Sequence, residues 1–89
     1  MHAVVVRVTI NDPDGAQTYL RDQVVPAVSS APGFVSGNWT LLDNTGLSMI
    51  IFESEEAASG TSSRIAEEMS DNPVVTLDGV EVREVVASA

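Results

Sequence analysis

The sequence predicts an α+β fold: an antiparallel sheet carrying two helices on one face, in the order strand, helix, strand, strand, helix, strand. Three observations point there. The chain has 89 residues, of which 44% are hydrophobic, which is too apolar for disorder and too short to divide. Residues 1–89 therefore read as a single domain. Segments of β-branched residues alternate with segments of helical spacing. Between them fall cap and turn residues, such as Asp12-Pro13, Ala31-Pro32-Gly33 and Asn72-Pro73.

His2 to Ile10 is rich in β-branched residues and reads as the first strand. Val4, Val6, Val8 and Ile10 share one face; Ala3, Val5, Arg7 and Thr9 share the other. Asp12 is a good helix N-cap, Pro13 suits the first helical position, and Asp14 favours the positive end of the dipole. Ala16, Leu20, Val24, Ala27 and Val28 form an apolar stripe with Tyr19 at its border, so the helix runs to about Ser29. Pro26 lacks a backbone donor and should kink or loosen this helix near Asp22–Val25.

The second strand runs from Phe34 to Leu42 and the third from Leu47 to Glu53. Asp43-Asn44-Thr45-Gly46 joins them, with Gly46 at the positive φ of the turn. That register sets Leu42 against Leu47 and Trp39 against Ile50. One face then holds Val35, Gly37, Trp39, Leu41, Ile50 and Phe52, and Leu42, Leu47, Met49 and Ile51 lie on the other. Ser54 caps the second helix, in which Ala58, Ser62, Ile65 and Met69 recur at helical spacing. Its middle, Ser59 to Ser63, is poor in helix formers and is expected to open more readily than the first helix. A short strand from Val74 to Leu77, a turn at Asp78-Gly79 and a last strand from Val80 to Val86 close the chain.

This is the element order of a ferredoxin-like fold. With both helices on one side, Val5, Leu42, Leu47, Met49 and Ile51 stay uncovered on the other, and a second copy packed sheet to sheet would cover them. A domain this small buries only roughly 60–65% of its unfolded surface, which also favours a partner. The formal charge of −9, with four arginines (Arg7, Arg21, Arg64 and Arg83) and no lysine, excludes a nucleic-acid track and repels anionic membrane. Without cysteine there is no disulfide, thiol catalysis or thiolate metal site. No apolar run reaches the ~18 residues of a membrane span and no basic-then-apolar leader opens the chain, so the expected location is cytoplasmic.

Several segments resemble one superfamily. They are Val24-Val25-Pro26 at the helix end, the break Ala31-Pro32-Gly33-Phe34, Trp39, the junction Phe52-Glu53-Ser54-Glu55-Glu56-Ala57 and the closing Val80 to Val86. Together, across nearly the whole chain, they look like the dimeric α/β-barrel superfamily, and within it the small relatives of antibiotic-biosynthesis monooxygenases. The resemblance implies a homodimer with a hydrophobic pocket between each sheet and its helices. It also implies a cofactor-independent monooxygenase acting on an aromatic or polyketide-like substrate; the alternative is a non-catalytic ligand-binding or structural interaction module. Enzymes of this superfamily place asparagine, tryptophan and histidine around the substrate. Asn11 and Trp39 match the first two, whereas the sole histidine is His2, at the chain start. No cofactor and no metal is expected.

The candidate pocket residues are Trp39, Gly37, Tyr19, Phe52 and Ile65. Trp39 beside Gly37, under a helix of small residues, is either a pocket wall or a core tryptophan. Asn11 is either a substrate-facing carboxamide or an ordinary strand-end residue. Arg7, mid-strand on the face assigned to the dimer interior, needs a counter-charge there. It reads as an interface ion pair, with Glu81, Glu84 or another acid of either chain as partner, or as an anion anchor. The pairs Glu55-Glu56 and Glu67-Glu68 diverge around a helix and read as solvated surface.

Overall fold

A computed structural model describes residues 1–89. Four strands, β1 (His2–Ile10), β2 (Phe34–Leu42), β3 (Thr45–Phe52) and β4 (Val75–Glu84), form one antiparallel sheet in the order β2-β3-β1-β4. The first helix is α1 (Pro13–Tyr19), a π-helical segment (Leu20–Val24) and α2 (Val25–Ser29) in unbroken succession; the second is α3 (Glu55–Glu68). Both helices pack on one sheet face, as the ferredoxin-like α+β arrangement requires.

The core follows from the alternation in β1. Val4, Val6 and Val8 meet Ile50 and Phe52 of β3, Val75 of β4, and Ala16, Val28 and Ala58 from the helices. Phe52 is fully buried and meets Phe34 edge-on, ring centroids 6.2 Å apart. The helix starts are capped as their sequences dictate: the Gly15 N–H donates to the Asp12 carboxylate and the Ala57 N–H to the Ser54 hydroxyl. In α3 the buried positions are Ala58 and Thr61.

The hairpin differs from the expected one. Asp43 and Asn44 alone make the turn, so Leu42 pairs with Thr45 and Trp39 with Ser48. Asp43, not Gly46, takes the positive φ, at 55°; a short polar side chain tolerates that region. Gly46 belongs to β3, where a Cβ would stand 2.8 Å from Val8 Cγ2, so glycine is needed for the crossing of β1. The slip is two residues, and the side chains keep their faces. Val35 is the exception: a bulge between Phe34 and Ser36 leaves it 44% exposed and gives the inward position to Phe34.

β4 also departs from expectation. Asp78-Gly79 does not turn the chain, because β1 pairs with residues on both sides of it. Gly79 faces Arg7 and Leu77 faces Val8, so Asp78 is the extra residue of a bulge, and the Thr9 hydroxyl donates to its carboxylate at 2.6 Å. Pro26 loosens the first helix where expected, by a wide turn rather than a break. The Val25 N–H reaches the Leu20 carbonyl, five residues back. In an α turn the Pro26 ring would strike the Asp22 carbonyl, and the π geometry moves that carbonyl aside.

The sheet face away from the helices is open. Leu42, Leu47 and Met49 are 76%, 47% and 50% exposed there. The accessible surface, 5578 Å², exceeds the roughly 5,000 Å² of a compact monomer of this mass. No helix is long and apolar enough to cross a membrane.

Candidate functional site

The wide turn has a consequence for the layer beneath it. α1 and the π-helical segment stand off the sheet, whereas α3 lies against β1, β3 and β4. The gap is a cavity of about 340 Å³, within the roughly 300–1,000 Å³ of small-molecule sites. Val6, Val8, Ser48 and Ile50 make its floor, and Ala16, Tyr19, Leu20 and Val24 its roof. Trp39 and Leu41 of β2 stand on one side; Ile65 and Met69 of α3 reach in from the other. Exposed side chains at the rim are Asp14, Gln17 and Asp43.

Trp39 is half-buried and serves both core and cavity. Its ring lies over Gly37, where a Cβ would come within 2.8 Å of the six-membered ring. Gly37 therefore sets the tilt of the indole without lining the cavity itself. Two residues of the lining, Tyr19 and Ser48, carry hydroxyls without a hydrogen-bond partner in the chain. Thr40 also lines it, but its hydroxyl donates to the Leu47 carbonyl at 2.6 Å.

The structure thus brings Trp39, Tyr19 and Ile65 together around one space and leaves the other candidates outside it. Phe52 is core, behind the cavity. Asn11 donates from Nδ2 to the Thr76 hydroxyl at 2.9 Å, on the β4 side of the sheet, and does not line the cavity. His2 sits in β1, at the opposite end from Ile10, a cavity residue. Its Nε2 is 3.3 Å from Glu55 Oε2, and its buried Nδ1 has no partner. No three histidine, aspartate or glutamate side chains converge to hold a metal ion.

Arg7 lies on the open face, exposed, with its guanidinium across Gly79; a Cβ there would stand 2.6 Å from Nη2. It has no carboxylate partner. Arg21, Arg64 and Arg83 each have one, at 3.5, 3.9 and 3.1 Å. Glu81, a partner expected for Arg7, is taken by Arg83.

Sequence reasoning missed Ser48, Asp14, Gln17 and Asp43 as cavity residues. It also placed the small-residue face of α3 over the cavity, where the structure has α1 and the π-helical segment. A serine between apolar inward neighbours was the available signal for Ser48; nothing local marked the standing-off of the first helix.

No protein-family model and no curated protein matches the chain. Solved structures do. MupZ from Pseudomonas fluorescens superposes with a TM-score of 0.73 at 14% identity, over 91% of this chain and 65% of that one. The chain thus spans just under two thirds of the length of MupZ. A variant of MhuD with two manganese protoporphyrin IX bound per active site gives 0.61 at 21% identity, over 100% of this chain and 98% of that one. A monooxygenase of Streptomyces coelicolor, ActVA-Orf6 in complex with nanaomycin D, gives 0.59 at 19% identity, over 99% and 92%. The chain shares the fold of these structures, one antiparallel sheet with both helices on one face.

Proposed function

We propose that the protein is a cytosolic, single-domain homodimer, each subunit of which takes a small apolar ring compound under its first helix and oxidises it without a cofactor. The observation that carries this reading is the cavity: about 340 Å³ of mainly apolar space with Trp39 as a flat wall for a ring to stack on. The superposition on a monooxygenase in complex with nanaomycin D adds support.

Cofactor-independent monooxygenation asks for an electron-rich substrate. A phenol takes one oxygen atom of O₂ at a ring carbon. The C–H there and the phenol O–H lose their hydrogens to the second oxygen atom, which leaves as water; the product is a quinone, and the substrate supplies the electrons. The chain's part is to hold the ring against Trp39, to exclude water, and to offer the Tyr19 and Ser48 hydroxyls to the substrate oxygen. No histidine or cysteine lines the cavity, so an iron porphyrin of the kind that MhuD from Mycobacterium tuberculosis holds would find neither of those axial ligands there; Tyr19 and Met69 are the lining residues able to ligate iron. In this reading a second copy covers the open sheet face, and Arg7 finds its counter-charge on the partner or anchors an anion there.

A second reading, a non-catalytic ligand-binding module, is favoured by one observation: neither Asn11 nor His2 lines the cavity. The test uses Trp39, the only tryptophan, as reporter. Saturable quenching by naphthoquinone, with oxygen uptake on adding naphthol that Trp39→Phe lowers at least tenfold, supports oxidation. Quenching without oxygen uptake supports the binding module. Neither signal would remove both readings.

A further inference from the structure

The cavity has a charge character that its apolar walls conceal. The two ionised side chains on its rim are both carboxylates, Asp14 from the start of α1 and Asp43 from the β2–β3 turn. No arginine, lysine or histidine lines it. The remaining cations lie outside the lining. The chain has no lysine; Arg21, Arg64 and Arg83 are paired with acids, Arg7 is on the opposite sheet face, and His2 is at the far end of β1. Two lining residues, Tyr19 and Ser48, carry neutral hydroxyls that have no partner within the chain.

We infer that Asp14 and Asp43 make the site a charge filter: it admits uncharged ring compounds bearing a carbonyl or hydroxyl oxygen and turns away their carboxylates. This rests on the reading of the cavity as the ligand site and adds the class of ligand it selects. A carbonyl or phenol oxygen finds a donor or acceptor in Ser48 or Tyr19 at no cost in charge. A carboxylate of the same ring must leave water, finds no cation inside, and passes two like charges on the way in. Both rim acids are exposed, so their repulsion acts through water and weakens as salt is raised.

The experiment is calorimetric titration of the full-length protein with naphthoquinone and with naphthoquinone carboxylate, at low and high salt. It is repeated on Asp14→Asn, Asp43→Asn and the double variant. Asparagine accepts the left-handed φ of residue 43 as readily as aspartate does, so the turn survives. The expected result is a preference of about tenfold or more for the uncharged quinone at low salt. It should shrink at high salt and fall to about threefold or less in the double variant, while the affinity for the uncharged quinone stays within about twofold. Equal affinity of the wild-type chain for the two ligands overturns the filter and leaves the ligand site standing. So does a preference that survives the double substitution. If neither ligand binds, the ligand-site reading fails and the filter falls with it.

Discussion

Gly37 is the residue through which the shape of the cavity wall is set. The Trp39 indole crosses it so closely that an added methyl would meet the ring at 2.8 and 3.0 Å and Phe34 at 3.6 Å. Gly37→Ala should displace the indole by a few tenths of an ångström and cost about 1–2 kcal/mol of stability, at the lower end of overpacking penalties. Urea unfolding and the emission maximum of Trp39 check this; an unchanged spectrum would mean the ring does not rest there. The pairing of Gly37 with Trp39 was legible because residues two apart on a strand share a face. Ser48 was harder to see, since its place opposite Trp39 depends on a hairpin register that local turn signals misassigned by two residues. Asp43 in the left-handed region, with Gly46 reserved for Val8, is what the turn signal could not convey.

Among the elements, the first helix departs most from regularity, and the cavity lies under it. Its wide turn answers a conflict visible in the sequence, a proline in the stripe of a long helix, but the choice between breaking and widening depends on what the helix packs against. Pro26→Ala should let residues 20–25 tighten into α geometry. Hydrogen exchange should slow there and stability should rise by roughly 1 kcal/mol, because the π turn has already relieved most of the ~3 kcal/mol cost of an interior proline. The same tightening should lower quinone affinity. Unchanged exchange at residues 20–25 would show that the wide turn has another cause. The serine-rich middle of α3 is weak on propensity, yet α3 presses Ala58 and Thr61 into the core. Asp78-Gly79 teaches the complementary lesson: an Asp-Gly pair reads locally as a turn, and only the uninterrupted pairing of β1 alongside it makes it a bulge.

For the whole molecule, the open sheet face was legible in the sequence, because alternation in β1 and β3 put Val5, Leu47, Met49 and Ile51 on the side without helices. What covers the face is the homodimer proposal, and it belongs to this scale. Sedimentation should give twice the 9.4 kDa chain mass at micromolar concentration. Met49→Glu, placing a charge beside Val5 on that face, should shift the protein to monomers without altering its circular dichroism. A wild-type mass of 9.4 kDa would exclude the assembly.

The cavity and the open face lie on opposite sides of one sheet, and that separation has a thermodynamic reading. Val6 looks into the cavity while Val5, its neighbour in the chain, looks out of the open face. A ligand that touches only the helix side has no differential contact with associated and dissociated chains, so linkage between the two equilibria should vanish. Quinone affinity measured across a dilution series that spans dissociation should then be flat, and saturating quinone should leave the dissociation constant of the assembly where it was.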